Sequence, residues 1–249
     1  MPRRGTTGRR ADGDALVVYG ANAVLELLGS DHAVIRLSLG PGPRRDEIAA
    51  AARRRGLHAE VVDRAALGRI AGTPHHQGAV AVSAPFQYAP LDRLLGDGCR
   101  SALVLDGVQD PRNLGAILRT ARVLGIGGVV LPRDRSVGVT GTVAAAAAGL
   151  LFGLPIAQVS NLVRTIEQMK EAGFWSVGLV PRGGTPLGRL DAPSRPVVVA
   201  GGEGEGLRPL VLRACDFTAS IPMVSGDSLN VGVAVAIALY ELIARSGMP

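Results

Sequence analysis

Three short segments place polar and glycine residues at the edges of apolar runs, where a buried chain can face a ligand. The first is Asp106–Gly125, DGVQDPRNLGAILRTARVLG. Arg112 and Arg119 stand seven residues apart, about two helical turns, and so share a face. Arg122 lies beside Arg119, and Gly115 keeps that stripe low. Leu114, Ile117, Leu118 and Ala121 form the inward face. A low surface carrying guanidiniums suits a phosphate backbone, although an ordinary solvated face has the same charge pattern. The second is Val197–Arg208, VVVAGGEGEGLR. Its glycines let the backbone approach a ligand closely. The spacing departs from the dinucleotide fingerprint G-x-G-x-x-G, and Glu203 and Glu205 would repel a pyrophosphate. Two carboxylates favour a ligand that is neutral or cationic there, and a tight turn with solvated acids fits the same spacing. The third is Ile221–Leu242, IPMVSGDSLNVGVAVAIALYEL. It offers Ser228 and Asn230 at the start of a helix that is apolar nearly all round, so that helix belongs in a core or at an interface. Ser228 could equally be a plain N-cap.

Several chemistries are excluded. His32, His58, His75 and His76 all precede residue 77. The second half therefore has no histidine base, no Ser–His–Asp triad and no histidine metal site. Cys99 and Cys215 make neither a zinc site nor a disulfide framework. The single lysine, Lys170, lies outside any glycine-rich phosphate loop. The net charge of +6 points to an anionic partner, RNA first. The near-exclusive use of arginine reads as a compositional habit and says nothing of the partner. No run of about 18 apolar residues crosses a membrane. No apolar signal core follows the arginine-rich start, so a cytoplasmic protein is expected.

These segments need elements to hold them. Residues 1–14 carry Arg3, Arg4, Arg9 and Arg10 and read as a disordered basic arm. Residues 15–84 read as a compact α/β unit, with helices near Ala21–Leu28 and Asp46–Arg55 and strands near Val34–Leu39, Ala59–Val62 and Gly78–Ser83. His75-His76-Gln77-Gly78 reads as a polar connector entering a strand. Residues 85–98, with a short LDRLL turn, read as a linker. From residue 99 strands and helices alternate. The strands fit Ala102–Leu105, Gly128–Leu131, Trp175–Leu179 and Val197–Ala200. The helices fit Asn113–Leu124, Val143–Leu151, Leu162–Ala172, Pro209–Arg213 and Leu229–Arg245, with Asn113 able to cap the first. Short runs apolar on both faces predict a parallel sheet covered by helices.

In order, spacing and residue type, the three segments resemble the signature motifs of the SpoU (TrmH-like) family of RNA ribose 2′-O-methyltransferases. Tyr19-Gly20, Ala23-Val24, Glu26 and His76-Gln77-Gly78 are similar to the substrate-binding unit of that family's ribosomal branch, which acts on guanosine in large-subunit (23S) rRNA. The resemblance implies an α/β protein in which an L7Ae/L30e-like unit precedes a SPOUT domain with a carboxy-terminal trefoil knot. It implies a homodimer that takes RNA as partner and substrate and S-adenosyl-L-methionine as methyl donor, without a metal. Carried over by position, it implies Asn113, Arg119, Glu203, Ser228 and Asn230 as catalytic residues, with Gly201, Ile221 and Leu229 at the cofactor. Two departures stand out. The loop from Met223 to Ser228 is one residue shorter than the family's, and TVAAAAAG before Leu150 lacks the family's lysine.

Overall fold

The computed structural model describes residues 15–191 and 193–245; the expected arm at residues 1–14 lies outside them. The first sheet has four strands. β1 (Leu16–Tyr19), α1 (Ala21–Gly29), β2 (Val34–Leu39), α2 (Arg45–Arg54), β3 (Ala59–Val61), α3 (Arg64–Ala71) and β4 (Ala79–Ser83) follow in the chain. The strand order is β1-β4-β2-β3, with β4 antiparallel to both neighbours and β3 parallel to β2. The sequence pattern missed β1 and α3. β1 is a four-residue apolar run that merges with the start of α1. α3 buries only Leu67 fully, so it shows no apolar stripe; Asp63 starts it by accepting the Ala66 N–H at 2.6 Å.

The HQG connector is a brace and not a solvated loop. Gln77 and Gly78 both have positive φ, 53° and 81°. His76 is buried, and its Nδ1 accepts the Gly78 N–H at 3.1 Å. The Gln77 Oε1 accepts the Ala21 N–H at 3.1 Å, which satisfies a helix start that Gly20 cannot cap.

The connecting segment contains a single helical turn, α4 (Asp92–Leu95). Beyond it come β5 (Ala102–Asp106), α5 (Pro111–Val123), β6 (Gly128–Pro132), α6 (Gly141–Ala146), β7 (Ile156–Val159), α7 (Leu162–Glu171), β8 (Trp175–Leu179), β9 (Thr185–Pro186), β10 (Pro196–Gly201), α8 (Pro209–Ala214), β11 (Phe217–Ser220) and α9 (Val231–Leu239). The seven strands run parallel in the order β7-β6-β5-β10-β8-β11-β9. This is the α/β class the sequence predicts. β10 inserts between β5 and β8, so the strand order reverses there, and ligands of open parallel sheets bind outside the carboxyl ends at such a point.

Two helix expectations change. The helix drawn over Val143–Leu151 stops at Ala146, because Ala148 and Gly149 take positive φ before a 3-10 turn at Leu150–Gly153. The helix drawn from Leu229 starts at Val231 and passes into a π turn over Tyr240–Ala244.

The connection between the sheets is docked. The Ala89 N–H donates to Ile156 O at 2.7 Å, the Tyr88 hydroxyl accepts the Val139 N–H at 2.9 Å, and Leu94 is buried. Phe86, His32 and Phe152 pack against one another, with Phe86 stacked on His32. Two glycines let backbones touch across the junction. A Cβ at Gly141 would overlap Val17 O, and one at Gly149 would meet Ala23 Cα at 2.7 Å. One buried core therefore runs from Val24 and Leu27 of α1 through Leu103 and Ile117 to Val235 and Leu239.

Candidate active site

The first segment forms the end of β5, a loop and α5. Asp110 caps α5 by accepting the Arg112 N–H at 2.7 Å, and Pro111 fills the first turn. The cap expected from Asn113 is thus already supplied, and Asn113 is available elsewhere. Its Oδ1 accepts from Asn230 Nδ2 at 3.2 Å. Asn230 in turn caps α9, its Oδ1 accepting the N–H groups of Gly232 (2.9 Å) and Val233 (3.3 Å). Asn230 is therefore the N-cap, not Ser228, and its cap bonds orient the amide toward Asn113. Ser228, Leu229 and Asn230 are exposed in the single chain, whereas a buried helix start was expected.

The second segment is wedged against the first. A Cβ on Gly202 would overlap the carbonyl of Gly107, and one on Gly201 would overlap the backbone of Gly206 and Leu207. Gly201 therefore shapes its own loop before it meets any ligand. The Gly202 N–H donates to Asp106 O at 2.7 Å. Below the loop the Asp106 carboxylate is buried and accepts from Arg208 twice, from Nε at 2.7 Å and from the backbone N–H at 3.0 Å. Sequence reasoning passed over this pair. The signal was available: an acid closing the apolar run ALVLD needs a partner once buried.

Motifs two and three line one cavity of about 460 Å³. Gly201, Glu203, Ile221, Ser228, Leu229 and Asn230, all expected at the site, lie on its wall. Leu179, Ala200, Leu207 and Val231 make the rest of the wall apolar. Glu203 and Glu205 are the only charged residues of the lining, both at the glycine loop, so the cavity favours a ligand with an apolar body and a positive centre. A second cavity of about 300 Å³ lies under the same loop, between Asp106, Gln109, Arg135, Glu203 and Arg208.

Arg119 is placed differently. It is exposed, makes no hydrogen bond or ion pair among the described residues, and is not on the wall of the 460 Å³ cavity. Gly115 does not lower an open stripe. It is buried where α6 crosses α5, and Val143 O lies 2.8 Å from where its Cβ would be. Arg112 and Arg119 emerge on either side of that crossing. No cluster of His, Cys, Asp or Glu among the described residues could hold a metal. Nor is there a reactive thiol: burial, reinforced by Asp216, pushes Cys215 up to about 12. No described helix is long and apolar enough to cross a membrane.

With this geometry in place, residues 100–240 match the SpoU rRNA Methylase family, and residues 17–89 match the family described as RNA 2′-O ribose methyltransferase substrate binding. The chain belongs to the SpoU family. A TrmH family tRNA/rRNA methyltransferase of Staphylococcus aureus is 37% identical over 238 residues, covering 92% of this chain and 96% of the relative. Among solved structures, the AdoMet-bound rRNA methyltransferase of Sinorhizobium meliloti is 28% identical with a TM-score of 0.80, covering 95% of this chain and 88% of that one. The TrmH/SpoU tRNA modifying enzyme of A. aeolicus is 25% identical with a TM-score of 0.52, and covers 61% of this chain and 78% of that one. The family match spans the three segments, which meet at the loop at the carboxyl ends of β5 and β10.

Proposed function

We propose that this SpoU protein transfers a methyl group from S-adenosyl-L-methionine to a ribose 2′-hydroxyl, with a guanosine of large-subunit rRNA as its target. One observation carries the reading most directly. The second and third segments, far apart in sequence, close around a single cavity, and the Asn113–Asn230 bond ties the first segment to its wall. The cavity suits the cofactor, with apolar walls for an adenine and the Glu203 and Glu205 carboxylates for a sulfonium. The bound cofactor supplies an electrophilic methyl. Gly201, Ile221 and Leu229 hold it; Asn113, Ser228 and Asn230 position the 2′-hydroxyl beside it; Glu203 places negative charge at the mouth. Near-attack positioning of this kind supplies much of a rate enhancement. The hydroxyl must also lose its proton. A guanidinium releases its own proton reluctantly, so Arg119 binds the RNA phosphate beside the reacting ribose, the hydroxyl proton passes to solvent, and the sulfonium leaves as the neutral thioether of S-adenosylhomocysteine.

Support for a ribosomal substrate comes from extent. The Sinorhizobium rRNA enzyme matches 95% of the chain, first sheet included, whereas the tRNA modifying enzyme of A. aeolicus matches 61%. The reading includes an L7Ae/L30e-like unit over residues 15–84, a linker over 85–98, a knotted methyltransferase unit over 99–249 and work in the cytoplasm. It also includes a homodimer. Val233 and Ile237 on α9, with Leu229 just before it and Tyr240 in the π turn after it, remain 37–52% exposed, an unpartnered apolar stripe of the kind an isologous interface covers.

The test is a ribose-methylation map of rRNA and tRNA from cells with and without the gene. One large-subunit guanosine should lose its 2′-O-methyl group in the deletion and regain it on complementation. Loss confined to tRNA would overturn the ribosomal assignment.

A further inference from the structure

A large cleft lies away from the cofactor cavity, at the junction of the two sheets. It measures about 890 Å³ and is open to solvent, within the usual range of ligand clefts, roughly 300–1,000 Å³. β1 contributes Leu16, Val17 and Tyr19; the chain after α3 contributes Thr73 and His75; α6 and its approach contribute Thr140 and Thr142. Phe86 lines it from the connecting segment, and Arg112 from the first turn of α5.

Three properties set this cleft apart. First, its lining contains no carboxylate, and Arg112 is the one arginine. That is the reverse of the glutamate-bearing cofactor cavity, and it suits an anion. Second, Tyr19 and His75 bring aromatic rings to the lining together with Phe86, which is itself stacked on His32, and the Tyr19 hydroxyl meets Thr142 Oγ1 at 3.5 Å. Rings beside a cation accept stacked bases without regard to sequence. Third, Arg112 precedes Asn113 directly, so the cleft and the methyl-transfer site share the first turn of α5. Ala15 lies on the cleft wall, so the segment carrying Arg3, Arg4, Arg9 and Arg10 joins the fold there.

From these we infer that the cleft holds single-stranded RNA flanking the target nucleotide. Arg112 takes a phosphate, and Tyr19 and His75 stack the neighbouring bases. This rests on the methyltransferase reading above and adds to it a path for the substrate. Both sheets contribute to that path, so the first reads RNA at the junction as well as on its own surface.

The test uses the full chain and 5′-fluorescein 12-nucleotide oligo(U) and oligo(A), with an RNA hairpin as the base-paired control. Anisotropy is followed against KCl for the wild type, for Arg112→Ala and for Thr142→Met, which intrudes on the cleft without changing charge or adding a ring. Each variant should bind the single strands about tenfold more weakly, while hairpin binding changes little. Arg112→Ala should also reduce the slope of log affinity against log salt by about 0.7, the value for one phosphate contact on a single strand. S-adenosylhomocysteine should still raise the melting temperature of both variants, which shows that the fold and the cofactor cavity persist. Wild-type affinity and slope in Arg112→Ala would overturn the proposal. So would 4-thiouridine cross-links that map only outside the cleft, binding that vanishes only when residues 1–14 are deleted, or a wild type that binds no single strand at low salt. In each of these cases the melting shift with S-adenosylhomocysteine still reports whether the cofactor reading stands.

Discussion

Arg119 and Gly201 do different work, and their variants should fail differently. Arg119 stands outside the cofactor cavity, so Arg119→Ala should keep calorimetric affinity for S-adenosyl-L-methionine and lose about 100-fold or more in single-turnover methyl transfer, the scale of a lost electrostatic group. Near-normal transfer would remove Arg119 from the mechanism. Gly201 is tight against Gly206 and Leu207 and not against open space. Gly201→Ala should therefore already displace the loop, at a cost of about 1–3 kcal/mol, and reduce cofactor affinity by about tenfold or more with the circular dichroism unchanged. Unaltered affinity would place the cofactor elsewhere. The types of both residues were readable from sequence, but their neighbours were not. The bond between Asn113 and Asn230 joins positions 117 apart, a pairing no local pattern encodes. The Asp106–Arg208 pair went unremarked for the same reason, since strand order alone brings β5 beside β10.

The turn between α3 and β4 is a case where local composition misleads. HQG reads as a polar loop, yet His76 is buried with its Nε2 unpartnered, and Gln77 completes α1. Burial, and then the charge of Arg64, hold His76 below its ordinary 6.5. The folded chain keeps it neutral, while the unfolded chain takes up a proton as the pH falls below 6.5. The stability it supports is thus complete above 6.5 and is lost as the pH falls through the lower folded value. The melting temperature should drop between about pH 7.5 and 5.0, and drop less in His76→Gln, which keeps an acceptor without titrating. Equal drops would assign the acid sensitivity to other groups. Elements with strong periodicity were legible: β2, β8 and α7 lie within a residue of expectation. The three-residue β3 was also expected, but β1, β7 and β11 were not: each is a four-residue run, too few to separate a buried strand from the end of a helix. α6 ended early because Ala148 and Gly149 turn left-handed to admit α1, a tertiary demand invisible in an alanine run.

In the assembled molecule, α9 buries Val231, Val235 and Leu239 and leaves Val233 and Ile237 outward, with Tyr240 of the following π turn. Its uniform apolarity, legible from sequence, is thus split between a core within the chain and a face that a second copy should cover. Light scattering at micromolar concentration should give twice 25.6 kDa, and Val233→Glu with Ile237→Glu should give a folded monomer. A wild type that is monomeric and fully active would end the dimer assignment. The junction has a different consequence. Gly141 and Gly149 let the chain around α6 come against the backbone of Val17 and Ala23, so the offset between the two units is set at those points by backbone contact. Such a junction works as a caliper. If RNA lies along it, the modified ribose is chosen by counting nucleotides from whatever the first sheet grips, and inserting one nucleotide between grip and target should move the methyl group by one position rather than abolish it.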